Sequence, residues 1–132
     1  MNRLTEQQLD ELRALCPGRV LAGADIPTDY EHDEMPIYGA GHPDAVVLAD
    51  SSETVSQVMA WAYRQGIPVI PRGAGTGLCG ACVPVGGGIV LALAGMNRIL
   101  EIDKENLTVT CQCGVLLMEL AQAVEAEGLF YP

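Results

Sequence analysis

The sequence predicts an α+β fold, and three stretches carry that prediction. Ala45-Val46-Val47-Leu48-Ala49 is an uninterrupted apolar run suited to a strand covered on both faces. An amphipathic helix follows to about Gln65, and the apolar run Ile67-Pro68-Val69-Ile70 completes a strand, helix, strand unit. The favoured geometry of such a βαβ unit is a right-handed crossover between parallel strands. Farther on, Ile99, Leu100 and Ile102 precede the polar turn Asp103-Lys104-Glu105-Asn106, and Leu107-Thr108-Val109-Thr110-Cys111 alternates after it. Two strands joined by so short a turn predict an antiparallel hairpin. A βαβ unit therefore leads and an antiparallel hairpin follows it.

Ahead of the first strand, Leu4, Leu9, Leu12 and Leu15 make an apolar helical stripe over residues 5–16. Thr5 is its N-cap and Gln8 completes a capping-box pattern, while Pro17-Gly18 ends it. Arg19 to Ala22 is a short extended piece, and residues 25–41, DIPTDYEHDEMPIYGAG, have no period and read as an acidic loop over the surface. The chain thus divides into a helix and acidic loop over residues 1–41 and the α+β domain over residues 42–132. In the second helix Ser51 or Ser52 is the cap, Val55, Val58, Met59 and Ala62 face inward, and Gly66 is the stop. Trp61 and Tyr63 read as packing or shielding, because only Arg64 offers the positive charge that base stacking needs. Residues 87–94 form a strand after the glycine-rich stretch. The last helix spans Val115 to Glu127, with Leu116, Leu117, Leu120, Ala121 and Val124 as its apolar face and Gly128 as its end. Leu129, Phe130 and Tyr131 are too apolar to end in water, so a further segment or a partner chain is expected to cover Leu129 to Pro132.

Length and charge bound the function. With 132 residues and 49% hydrophobic content, the chain is at most one folded domain. Seventeen acidic residues against seven basic ones give a net charge of −10, a surface that repels nucleic acid and anionic membrane. Eleven of the acids lie at or before Glu53, so the glycine-rich stretch falls outside the acidic portion. No apolar run is long enough to span a membrane and the N-terminus shows no apolar signal segment, so a cytoplasmic location is the expectation. Five cysteines, an odd number, fit free thiols better than a disulfide framework.

The chemistry is concentrated in PRGAGTGLCG, residues 71–80. Glycines at 73, 75, 77 and 80 allow φ > 0 and close backbone approach, and successive exposed amides in such a turn make a concavity for an anion. Two readings fit: a phosphate or pyrophosphate cradle, with Thr76 as a hydroxyl donor and Arg72 as a nearby charge, or a glycine-rich bend that serves only the fold. A dinucleotide loop of the GxGxxG type is excluded, because Ala81-Cys82-Val83-Pro84-Val85 and three glycines follow instead of a helix. A nucleotide triphosphatase P-loop is excluded too, since the only lysine is Lys104.

The cysteines offer a competing site. Cys79 and Cys82 form CxxC and Cys111 and Cys113 form CxC, so four thiolates could hold zinc or an iron–sulfur cluster if hairpin and loop meet. The plainer reading is small buried thiols filling positions where valine or alanine would serve. Asp29, His32 and Asp33 are a second conceivable ligand group, with the same plain reading as solvated loop residues.

The runs VIPRGAGTGLCG at 69–80, VPVGGGIVLAL at 83–93, MNRILEID at 96–103, ENLTVT at 105–110, then GVLLMEL and GLFYP, together resemble a known family. From about Tyr30 to Pro132 the chain is similar to the N-terminal part of the FAD-binding (PCMH-type) domain of the flavin-dependent glycolate oxidase and D-lactate dehydrogenase family. That family belongs to the vanillyl-alcohol oxidase and p-cresol methylhydroxylase flavoprotein superfamily. The resemblance implies a two-lobed α+β domain, an α/β lobe holding the βαβ unit and then the start of a mixed or antiparallel lobe, with FAD between the lobes. It implies a pyrophosphate loop acting through backbone amides, which maps onto Arg72, Gly73, Ala74, Gly75, Thr76 and Gly77, with Cys79 and Gly80 closing it. Two positions depart from the family pattern: Cys79, where serine or valine is common, and Cys113, where proline commonly precedes the glycine. The first leaves a backbone grip intact; the second removes a φ restraint before the last helix.

In complete relatives the resemblance implies oxidation of a 2-hydroxy acid, of the glycolate or D-lactate type, to the 2-oxo acid. A base takes the hydroxyl proton, hydride passes to flavin N5, and electrons leave to an acceptor other than nicotinamide. The family's domain continues past the Tyr-Pro reached here and is followed by a cap domain that supplies substrate-binding residues. The chain accordingly reads as the FAD-binding portion of such an enzyme, incomplete at its C-terminus and inactive alone, with no residue assigned as catalytic and no metal site. The alternatives are a non-enzymatic remnant or interaction module and a small cysteine-ligated metal protein.

Overall fold

The computed structural model describes residues 3–132. Helix α1 (Glu6–Leu15) starts at the capping box: Thr5 Oγ1 accepts from the Gln8 amide at 3.2 Å, and Gln8 Oε1 accepts from the Thr5 amide at 2.9 Å. Two amides that a helix start leaves orphaned are thereby satisfied, a contribution of about 1 kcal/mol. The chain continues through β1 (Val20–Ala22), β2 (Ala45–Leu48), α2 (Ser52–Gln65), β3 (Val69–Arg72), β4 (Ile89–Ala92), β5 (Ile99–Asp103), β6 (Thr108–Cys111) and α3 (Leu117–Ala126). Ser51 caps α2 through its hydroxyl, and Gly66 ends it in the left-handed conformation at φ +67°.

The larger sheet has the order β1-β2-β4-β3, with β1 antiparallel to β2 and the other pairs parallel. The strands of the predicted βαβ unit, β2 and β3, run the same way but are not neighbours. Strand β4 lies between them, pairing Ile89 with Ala45 on one side and with Val69 on the other. The reason lies in the side chains. All four residues of β4 are buried, whereas β3 contains Pro71, whose missing amide is tolerated best at a sheet edge. On one face α1 and α2 bury Leu12, Val58 and Ala62 against Val47, Ile89 and Leu91. Trp61 joins them, and its indole Nε1 donates to Glu11 Oε2 at 3.0 Å, tying the two helices together.

Residues 25–41 do more than lie over the surface. Ile26 is buried and Tyr30 half-buried against Val46, Val90 and Ala92, so this loop is the layer that covers the second face of the sheet. The chain folds here as single 3₁₀ turns at Gly23–Asp25, Thr28–Glu31 and Pro36–Tyr38, which leave no period in the sequence.

The hairpin β5–β6 is antiparallel, with a register shift between Ile99 and Glu101. Its turn is closed by Asp103, whose Oδ1 accepts from the amides of Glu105 and Asn106 at 3.0 Å each and whose Oδ2 accepts from Asn106 Nδ2 at 2.7 Å. In α3, Leu120 and Val124 face inward as expected, but Leu116 and Leu117, at the start of the helix, are 43% and 64% exposed. Leu129, Phe130 and Tyr131 border a groove of about 330 Å³ with Ile102, Val109 and Val124. Among the described residues no helix is long and apolar enough to cross a membrane.

Candidate functional site

Residues 73–88 join β3 to β4 and leave the sheet at the C-terminal end of a parallel strand, the end where open α/β sheets place their ligands. Two of the loop's first glycines are dictated by shape. Gly75 sits at φ +79°, and a Cβ there would lie 1.9 Å from Arg72 Nη2. Gly80 sits at φ +70°, with the Tyr38 ring where its Cβ would be. Gly73 and Gly77 differ: a Cβ on either would meet nothing within 4 Å, so open space lies in front of their backbone.

Arg72 ends β3 and is buried, 7% exposed, beneath the loop. Its Nη1 donates to the His32 carbonyl at 2.7 Å and to Cys82 Sγ at 3.3 Å, and its guanidinium lies 5.6 Å from the centre of the Tyr30 ring. Among the described residues no carboxylate approaches it within 4.0 Å. A buried charge without a counter-ion is unfavourable, so the fold holds a positive field under the glycine loop that an anion would offset.

Gly80 is engaged differently. Its amide donates to Asp33 Oδ2 at 2.8 Å, and Asp33, 6% exposed, also accepts from the Met35 amide at 2.9 Å. The Gly80 N–H is therefore committed within the protein, while Ala74, Thr76, Gly77 and Cys79 are exposed on the loop.

Facing the loop is a cleft of about 370 Å³, with Gly73, Ala74 and Thr76 on one wall and Gly114, Leu116 and Leu117 on the other. The second wall is the start of α3. Its N-cap is Leu116, which offers no side-chain acceptor, so the first amides of the helix lack a side-chain partner. Those amides carry the positive end of the helix dipole. Gly114 allows the approach: a Cβ there would lie 2.0 Å from the Leu93 carbonyl oxygen at the end of β4. The cleft thus places a glycine loop opposite a helix N-terminus, two kinds of backbone element that can donate N–H groups to an anion. Sequence reasoning misses the second of these. A signal for it exists, since an amphipathic helix beginning with leucine where Ser, Thr, Asp or Asn would serve leaves its amides open.

The competing sites do not assemble. Among the described residues all five cysteines are free, and no three His, Cys, Asp or Glu side chains converge as metal ligands. His32 contributes its backbone carbonyl to Arg72, and His42 Nδ1 pairs with Glu31 Oε1 at 2.6 Å.

Comparison with known proteins follows the same line. The model of a family described as "FAD binding domain" matches residues 43–132. A D-lactate dehydrogenase of Anaerostipes hadrus is 46% identical over 131 residues, covering 99% of this chain and 28% of that protein. Glycolate oxidase subunit GlcD of Bacillus subtilis is 45% identical over 103 residues, 78% of this chain and 22% of that one. Among solved structures, p-cresol methylhydroxylase with substrate bound superposes with a TM-score of 0.79 at 28% identity, over 96% of this chain and 26% of that chain. The chain therefore spans about a quarter of the length of the proteins it matches.

Proposed function

The chain belongs to the FAD binding domain family matched over residues 43–132, and from that membership we propose where the cofactor sits and what it serves. FAD is the cofactor of this flavin oxidoreductase family. In our reading its diphosphate lies in the cleft between the glycine loop and the start of α3. Gly73, Ala74, Thr76 and Gly77 offer amides, with the Thr76 hydroxyl as a further donor. Arg72 acts from beneath through its field, Gly75 makes the turn, and Cys79 and Gly80 close the loop. One observation carries this placement: the glycine loop and the uncapped start of α3 line the two walls of a 370 Å³ cleft, beside a buried arginine that, among the described residues, no carboxylate approaches within 4.0 Å. The residues fit the group, because every contact asked of them is a backbone amide or a hydroxyl and none requires a lysine or a metal.

We further propose that the complete protein oxidises a 2-hydroxy acid of the glycolate or D-lactate type, passing electrons to an acceptor other than nicotinamide. The names of the two relatives support this reading. Bound FAD supplies the redox chemistry of that oxidation. In our reading the residues of this chain bind and orient it and no base is assigned among them, so residues 1–132 alone should hold flavin without turnover. Purified chain titrated with FAD, followed by flavin fluorescence quenching and then by assay with glycolate and D-lactate, tests both parts. Quenching that saturates, without turnover, is the expected result. Failure of FAD to bind at millimolar concentration, together with undisturbed loop amides in the NMR spectrum, would overturn the placement.

A further inference from the structure

We propose that residues 32–41 are a latch that fixes the shape of the glycine loop before any ligand arrives, and that Asp33 is its positioning residue. The proposal rests on the reading of the loop as a diphosphate cradle. Contacts connect the two segments at three successive points. At the root of the loop the His32 carbonyl accepts from Arg72. At its far turn Asp33 Oδ2 accepts from the Gly80 amide at 2.8 Å, while the Tyr38 ring packs where a Gly80 side chain would stand. On the return path Gly41 lies so close to Pro84 that a Cβ would come within 2.2 Å of the Pro84 oxygen. The latch is itself closed, since the Gly41 amide donates to the Glu31 carbonyl at 2.8 Å and His42 pairs with the Glu31 carboxylate.

The chemistry of Asp33 excludes a direct role toward the ligand. A carboxylate beside a diphosphate repels it, and this one is buried, with one oxygen on the Met35 amide and the other on Gly80. What it does instead is orient the peptide preceding Gly80 in a bond that bulk water does not contest, which fixes the far turn of the loop. A loop so rich in glycine has many shapes to lose on binding. Fixing one of them in advance removes that entropy from the binding step.

The test uses the whole ¹⁵N-labelled chain. Without flavin, the Gly80 amide should resonate far downfield, as amides bonded to carboxylates do, and should be protected from solvent exchange although it lies on a loop. Asp33→Asn should move that resonance and speed its exchange at least about tenfold. Val46 and Val90 amides in the core should keep their protection. The same variant should weaken FAD binding about tenfold or more. A merely structural Asp33 would instead expose core and loop amides together. Should Asp33→Asn fail to fold, Tyr38→Ala, at a position 45% exposed, carries the same test through the ring against Gly80. Fast Gly80 exchange in the flavin-free wild type overturns the latch, as does unchanged FAD affinity once Gly80 is freed. A protected Gly80 in a wild-type chain that ignores FAD leaves the latch standing and removes the flavin reading.

Discussion

Gly75→Ala is the sharpest probe of the loop, because its effect can be worked from the geometry. Alanine at φ +79° is strained by about 1–2 kcal/mol. Its Cβ would also stand 1.9 Å from Arg72 Nη2 and 2.5 Å from Cζ, so the loop or the guanidinium must give way. Arg72 has little freedom to yield: it is 7% exposed and held by His32 and Cys82, and breaking a bond from a charged donor costs about 1.5–3 kcal/mol. The loop therefore moves, and restoring its shape for binding takes roughly 2.5–5 kcal/mol, a rise in the FAD dissociation constant of about a hundredfold or more. The core is spared, since neither buried cluster includes Gly75. FAD titration and a thermal melt of the flavin-free chain separate the two effects. Gly73→Ala and Gly77→Ala are the controls; with open space at their Cβ positions they should leave the flavin-free melt unchanged. Wild-type FAD affinity in Gly75→Ala would refute the reasoning, because it would mean that the shape of this turn does not matter to the ligand.

Leu116→Asp separates helix stability from binding: a carboxylate at the uncapped start of α3 should raise stability by about 1 kcal/mol while its charge in the cleft weakens FAD binding about tenfold, read by melt and titration. The Asn106 side chain, followed by the Asn106 and Glu105 amides, holds the Asp103 carboxyl below its ordinary range. Its contribution is full above the unfolded value and lost as pH falls through the lower folded value, so the Asn106 amide should lose exchange protection in acid, and Asp103→Ala should abolish that dependence. Burial pushes the Cys16 thiol up, only partly opposed by Arg19. The unfolded chain therefore ionises first, and stability should be full below the ordinary thiol value and decline as pH rises beyond it. Denaturant titrations of wild type and Cys16→Ala across that range check the sign.

How much of this is legible in the sequence depends on whether the cause is local. The Thr5 to Gln8 capping box, the Gly66 stop and the Asp103 to Asn106 turn are each settled within four residues, and each is found where the sequence places it. The order of the sheet is not legible, because inserting β4 between β2 and β3 depends on comparing strands 17 or more residues apart for burial and for the missing amide of Pro71. The loop is legible as a place where glycine is needed, but not which glycine does what. Gly75 is set by Arg72 and Gly80 by Tyr38 and Asp33, and the second pair lies about forty residues upstream. Leu116 and Leu117 depart from their expected inward placement although their helical spacing is right: both line the cleft opposite the glycine loop, a neighbour about forty residues upstream that spacing alone does not reveal.

The division of labour at the site follows from its charge. A chain with net charge −10 repels a diphosphate at long range, and at physiological salt that field fades over about 8 Å. Attraction must then come from donors within a few ångströms. Among the described residues the one buried cation is Arg72, whose Nη1 bonds go to His32 and Cys82, so that part of its guanidinium is already committed to the protein. The groups that line the cleft are neutral: Gly73, Ala74 and Thr76 of the loop and the open start of α3. Neutral donors depend on aim rather than on charge, since a backbone N–H weakens steeply as it turns off line. The reactive side chains around the loop are accordingly committed to holding its shape, and binding falls to peptide groups whose direction that shape determines.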